Sequence, residues 1–226
     1  MTSVGLVIQA RMGSTRLPGK VLRPVGYLPL LGHVIGRLTM LSHSWPVVVA
    51  TSTDARDEAI AQWCEQAGVA TFRGSEHDVL ERYVQCARAS GFEHVVRLTA
   101  DNPFTDIPEL QRMVQHHLAG NFDYTHSFGM MPLGVGAEIF TRTALERSHM
   151  EGLEPHHREH VNEYIQEHPD RFRIGVLDVP MDKRAPDLRL TVDTEDDWSR
   201  ADALARQAQG HWLETQEAIK LCSSSA

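Results

Sequence analysis

Cysteine is scarce in this chain, and the few present are not spaced to work together. Among 226 residues there are Cys64, Cys86 and Cys222. An odd number with no C-x-x-C spacing argues against a disulfide framework and a structural zinc site. Reduced thiols in a cytoplasmic protein are the expectation. Long apolar runs are missing too. The run Val4–Ile8 has no positively charged flank before it and is too short for a signal-peptide core or a membrane span. Positive charge is in deficit, with 22 Lys and Arg against 30 Asp and Glu and a net charge of −8. A dedicated nucleic-acid binder would show a basic domain or stripe. An anionic small substrate is not excluded, because a local basic pocket can sit on an acidic protein. Repeats, low-complexity tracts and linkers are absent, so residues 1–226 read as one domain.

What is present is an alternation of short apolar runs and amphipathic stretches. Val4–Ala10, Val47–Ala50, Val69–Phe72, His94–Leu98 and Asp123–His126 read as strands. Between them, Leu30–Leu41, Asp54–Ala67, Asp78–Ser90 and Pro108–His117 have helical spacing. Asp54 is placed to cap one helix, and Gly68 and Gly91 to stop two. The second half is less regular. Val135–Phe140, Phe172–Val179 and Arg189–Val192 read as strands; Thr141–Met150, His156–His168 and Thr194–Gln209 read as helices. The pattern predicts a three-layer α/β/α fold with a mostly parallel sheet. In such sheets ligands sit beyond the carboxyl ends of the strands. Arg11–Lys20, Thr51–Asp54 and Thr99–Asp106 each follow a strand and are expected to converge on one cleft.

The most informative stretch is Q-A-R-M-G-S-T-R-L-P-G-K-V-L, Gln9 to Leu22. It puts Arg11, Arg16 and Lys20 on one short loop, with Gly13 and Gly19 allowing close backbone approach. Three cations held together need an anion, and a triphosphate is the natural counter-charge. The ordinary P-loop is excluded: Gly13 and Gly19 enclose one residue too many, and Val21 stands where that motif has Ser or Thr after its lysine. Asp101, just past the strand His94–Leu98, is placed to offer a carboxylate to magnesium. The bland alternatives are a solvated basic loop and a turn aspartate.

This segment resembles the opening signature of the cytidylyltransferases that make CMP-activated acid sugars, in the branch called spore-coat polysaccharide biosynthesis protein F. V-V-V-A-T-S, F-R-G-S-E-H-D-V-L-E-R-Y, R-L-T-A-D-N-P, P-L-G-V-G-A-E-I-F, R-E-H-V-N-E-Y-I and L-R-L-T-V-D-T-E-D-D extend the match in order from Val4 to about Asp197. The resemblance implies a nucleotide-diphospho-sugar transferase-like, Rossmann-like fold, CTP as donor, Mg2+, pyrophosphate release and a homodimer. It implies catalytic roles for Arg11, Lys20 and Asp101, and a metal held by Asp101 and Asp193. It implies a nucleotide site of Ala10, Arg11, Gly13, Ser14, Arg16, Lys20, Thr51, Ser52, Arg73, Gly74, Ser75 and Arg82. The nucleotide part would span about 1–126, an acceptor and possible dimerisation part about 127–190, and a final strand and helix about 189–226. Glu138, Arg158 and His160 are the acceptor candidates, with scaffold or dimer-contact roles as their alternatives. Asp78 and Arg82, four apart, would share a helix face. Two rivals stand beside this reading. One is a glycosyltransferase of the same fold class using a nucleotide sugar. The other is a zinc hydrolase, because His156, Glu159 and His160 fit H-x-x-E-H.

Overall fold

The computed structural model describes residues 3–43, 45–208 and 211–224. Nine strands and nine α-helices are found among them. The strands are β1 (Val4–Gln9), β2 (Pro24–Val25), β3 (Leu28–Pro29), β4 (Val47–Ser52), β5 (Ala70–Gly74), β6 (His94–Thr99), β7 (Tyr124–His126), β8 (Glu138–Thr141) and β9 (Ile174–Val176). The helices are α1 (Leu30–Leu38), α2 (Glu58–Gln66), α3 (Val79–Ser90), α4 (Ile107–Gly120), α5 (Arg142–Glu151), α6 (Pro155–Glu159), α7 (Glu163–Glu167), α8 (Glu195–Gln207) and α9 (Thr215–Ser223). The expected helix end Gln209 lies outside the described residues.

Seven strands form one sheet in the order β5-β4-β1-β6-β8-β7-β9. All neighbours are parallel except the two pairings made by β8. Alternation along each strand sends residues to opposite faces. On one face Leu6, Ile8, Val49, Val96, Leu98 and Ile139 pack against α1, α2 and α4. On the other, Val7, Val48, Ala50, Val95 and Phe140 pack against α3, α5 and α7. This is the expected three-layer α/β/α, nucleotide-diphospho-sugar transferase-like arrangement. A third apolar cluster joins α8 and α9 to Leu17, Phe104, Met131, Leu190 and Val192, under the ends of β1 and β6.

The β2–β3 hairpin and α9 are not among the expected elements, and three of the expected ones differ in kind. Arg189–Val192 is not a strand of the sheet: it makes one isolated bridge, Arg189 to Leu133. Pro132 beside that bridge has no N–H to extend a ladder. The helix expected over His156–His168 breaks into α6 and α7. His160 is extended at φ −111° and ψ 102°, and the chain turns inward there to bury Val161 fully. The helix expected from Asp54 begins instead as a 3-10 turn, Ala55–Asp57, which lets the Asp57 side chain point back into the protein.

Candidate active site

A cavity of about 800 Å3 opens at the carboxyl ends of β1 and β6. Gln9, Arg11, Gly13, Ser14, Arg16 and Lys20 form one wall. Arg97, Thr99, Asp101 and Asn102 form the floor. The loop 127–136, His160, Arg189, Thr191 and Asp193 close the far side.

Lys20 is the centre of this cavity. Its Nζ donates to Asp101 Oδ2, Asp193 Oδ1 and the Val192 carbonyl, each at 2.8 Å. Asp101 comes from the end of β6 and Asp193 from the segment before α8, so the ammonium bridges two carboxylates far apart in sequence. The backbone holds this arrangement, because Val192 N donates to Asp101 O at 2.9 Å. Thr99 Oγ1 orients Asp101 by donating to its other oxygen at 2.5 Å. Asp193 is flanked by Arg16 at 3.4 Å and by Arg189. Burial pushes the Asp193 carboxyl up, but Lys20, then Arg189 and Arg16, outweigh it and hold it below the ordinary range. Asp197 is a capping residue, as its position predicts: it accepts from the Asp193 and Thr194 amides while Thr194 Oγ1 accepts from Asp197 N.

The loop after β1 is shaped by its own backbone and by one buried acid. Met12 O accepts from the Ser14 and Gly19 amides, and Ser14 Oγ accepts from Leu17 N. Gly19 sits at φ 72°, a left-handed conformation that favours glycine, and it leads directly into the turn carrying Lys20. Asp57, 2 % exposed, accepts from Met12 N at 2.7 Å and from both Ser52 N and Ser52 Oγ. The ends of β1 and β4 are therefore tied through one carboxylate. Arg11 reaches across the cavity mouth to Glu159 at 2.9 Å.

Several expected site residues lie elsewhere. Ala10 is buried, and its amide donates to Ala50 O. Thr51 and Ser52 are fully buried and do not line the cavity. The side chain of Ser52 is committed to Asp57, and Thr51 Oγ1 has no partner. Their segment supports the loop instead of joining its cleft: the pleat sends the two side chains to opposite faces of the sheet, both covered, and Ser52 shares Asp57 with Met12 N. Arg73, Gly74, Ser75 and Arg82 line a separate cavity of about 580 Å3. Arg73 is spent on the Ser52 and Asp54 carbonyls and on Glu58. Arg82, 1 % exposed, donates to Ser75 O, while its Nε and Nη2 have no partner. Asp78 does not pair with Arg82: it caps α3 through Glu81 N and meets Arg158 at 3.3 Å. Of the three acceptor candidates, His160 alone lines the cavity. Arg158 is held by Asp78, and Glu138 is 2 % exposed, its oxygens taken by Arg97 and by Tyr124 Oη at 2.6 Å.

The zinc-hydrolase alternative fails on geometry. His160 is the extended C-cap of α6 and lines the cavity, whereas His156 does not line it and faces Glu167, and Glu159 is paired with Arg11. His156 and His157 both contact Glu167, at 2.9 and 2.8 Å. That set matches neither the H-x-x-E-H residues nor a position in the cavity.

Two cavity residues escaped the sequence reading. Arg189 looked like an ordinary strand residue, yet it ties Asp193 to Asp197. Arg97 stands in the middle of β6, where alternation alone suggests a half-buried polar position. Its Nη1 donates to Glu138 and its Nη2 to Gln9 Oε1 at 3.3 Å. Burial works against its charge, but Glu138 outweighs burial and holds the guanidinium protonated. The R-L-T-A-D-N-P stretch was the available signal.

With the geometry in view, known proteins can be compared. The family model described as Cytidylyltransferase matches residues 6–219. The chain is 39 % identical over 213 residues to spore coat polysaccharide biosynthesis protein SpsF of Bacillus subtilis, covering 92 % of this chain and 88 % of that one. A solved cytidylyltransferase from Leptospira borgpetersenii superposes with a TM-score of 0.93 at 30 % identity, covering 100 % and 95 % of the two chains. CMP:2-keto-3-deoxy-manno-octonic acid synthetase, solved with CTP, shares the fold with a TM-score of 0.71 at 17 % identity, covering 91 % and 99 %. Profile, sequence and structure agree, and the chain belongs to the cytidylyltransferase family.

Proposed function

We propose that this protein couples CTP to an acid sugar or a similar anionic acceptor, releasing pyrophosphate, in the biosynthesis of a surface polysaccharide or glycoconjugate. The observation that carries this reading is the convergence of Arg16, Lys20 and Arg189 on two carboxylates, Asp101 and Asp193, in the cavity that Arg11 also lines. Such a site offers cationic donors to a triphosphate beside oxygen ligands for a hard cation. Residues 1–126 would supply the nucleotide half and 127–190 the acceptor half of one catalytic unit.

In the reaction an acceptor oxygen attacks the α-phosphorus of CTP. The new O–P bond forms as the bond from that phosphorus to the bridging oxygen breaks, and pyrophosphate departs. Arg11, Arg16 and Lys20 stabilise charge that builds on the phosphoryl oxygens, and the cavity walls hold the two reactants in line. Gly13 and Ser14 line the same wall, and Gly13 lets the backbone come close to these oxygens. No nucleophilic side chain is needed. Asp101 and Asp193 fit Mg2+: both already contact one cation, the Lys20 ammonium, at 2.8 Å. Bound there, the metal would act as a Lewis acid on the triphosphate.

A homodimer is proposed with this activity. It is supported by β9, which ends the sheet with Val176 half exposed, and by exposed Met181. A cytoplasmic setting is proposed from the free thiols of Cys64, Cys86 and Cys222; no helix among the described residues is long and apolar enough to cross a membrane. The test is a pyrophosphate-release screen of four nucleoside triphosphates against a panel of acid acceptors. Release with CTP and at least one acid supports the reading. No pyrophosphate release with any triphosphate, together with release of a nucleoside mono- or diphosphate from a nucleotide sugar, would favour glycosyl transfer and overturn it.

A further inference from the structure

We propose that Arg97 is the acceptor-binding residue that selects for an acid: a guanidinium fixed on the cavity floor by Glu138 and Gln9, taking a carboxylate or phosphonate of the acceptor. The proposal rests on the reading of the site as acceptor-binding at its β6–β8 side.

The placement comes first. In β6, Arg97 pairs across with Val7 of β1 and Glu138 of β8, and it shares a sheet face with Thr99, which orients Asp101. It lines the cavity from the sheet side, in β6 and not on the loop that carries Arg11, Arg16 and Lys20. An acceptor must occupy that side for its oxygen to approach a triphosphate held by the loop.

The support around it comes second. The Arg97 side chain is 18 % exposed and that of Glu138 is 3 % exposed. Glu138 accepts from Arg97 on one oxygen and from Tyr124 on the other, and Tyr124 Oη accepts from Asn162 Nδ2 at 3.3 Å. This buried chain runs from β6 through β8 and β7 to the start of α7. A buried ion pair gives little net stability, since apolar residues of similar volume usually serve as well. What it does give is a fixed orientation.

The donors come third. A guanidinium has five N–H groups in a rigid fork. Glu138 and Gln9 use two, which leaves a second N–H on each of Nη1 and Nη2; Nε is buried with no partner and is closed to a ligand. Because Glu138 balances the charge, Arg97 offers directed donors more than net charge. Planar bidentate recognition of an oxyanion uses that fork, and lysine cannot reproduce it. Arg158, the expected acid-binding arginine, is held by Asp78 and does not line the cavity.

The experiment is calorimetric titration of wild type, R97K and Q9A with 3-deoxy-manno-octulosonate, with its C1 methyl ester, and with 2-aminoethylphosphonate, alongside CTP-induced thermal stabilisation of each variant. Wild type is expected to bind one of the two acids and R97K to bind it about ten- to a hundredfold more weakly, the range for a charge-assisted hydrogen-bond pair. Q9A should lose less. The ester should bind weakly and equally to wild type and R97K, and CTP should stabilise both alike. The acid that binds distinguishes a carboxylate acceptor from a phosphonate one. Unchanged acid affinity in R97K, equal losses for acid and ester, or no binding of either acid by wild type overturns the proposal. A protein that binds acid through Arg97 but is not stabilised by CTP would refute the proposed reaction and leave the Arg97 assignment standing.

Discussion

Replacing Lys20 by alanine removes the single cation that bridges Asp101 and Asp193. Both carboxylate oxygens lie 2.8 Å from Nζ, so they are at most about 5.6 Å apart, twice that distance. Without the ammonium, two like charges face each other across that gap. At an effective dielectric of 20 the repulsion is about 3 kcal/mol, in line with the 3–5 kcal/mol lost when one partner of a buried pair is deleted. For a chain of this length that corresponds to roughly 6–12 °C in Tm. Thermal unfolding of K20A without nucleotide should show the drop. Millimolar Mg2+ should recover much of it, because the metal can take the vacated position, whereas wild type, already holding a cation there, should respond little. The pH dependence has a definite sign. The Asp193 carboxyl is held below its ordinary 3.8 in the folded protein, so its contribution is fully present above that value and fades as pH falls below it. The gap between wild type and K20A should therefore narrow only in acid. A K20A protein with wild-type Tm at neutral pH and no Mg2+ response would refute this account of the two carboxylates.

Asp101→Ala should remove nearly all pyrophosphate release while circular dichroism shows the fold retained; turnover close to wild type would contradict its place in the site. Asp57→Ala breaks the bonds to Met12 N, Ser52 N and Ser52 Oγ and should lower stability by about 1–3 kcal/mol, the penalty for leaving buried donors unpaired; KM for CTP should rise as the loop loosens, and an unchanged KM would show that the loop needs no such tether. His117 is buried against His94 and Thr125, and burial first, then the neighbouring histidines, pushes its pKa from 6.5 down to about 3. Its stabilising effect is present above pH 6.5 and is lost as pH falls toward 3, at up to about 1.4 kcal/mol per unit. His117→Gln should therefore flatten the acid limb of the stability curve measured by denaturant titration, and parallel curves for the two proteins would rule out this histidine.

By itself, the sequence determined the fold class and the kind of reaction. Short β-branched runs alternating with amphipathic stretches allow little besides a largely parallel sheet between helices, and the loop Gln9–Leu22 announces an anion through three cations and two glycines. Those signals are local, so they survive without coordinates. Lys20, Asp101 and Asp193 were legible as individuals: Lys20 and Asp101 because they follow apolar runs that end at the ligand-binding edge of such a sheet, and Asp193 through the family resemblance, since the run before it is not a strand of the sheet. Their meeting at one nitrogen was not, since it depends on Val192 docking on the Asp101 carbonyl across 91 residues of chain. Tertiary structure alone decided which polar residues face the cavity. It buried Thr51, committed Ser52 to Asp57, gave Arg158 to Asp78, buried Glu138 beneath Arg97, and brought Arg97 to the floor. A strand residue's role is set by its neighbours in the sheet, and the order β1-β6-β8 that makes Gln9, Arg97 and Glu138 neighbours is a product of long-range pairing.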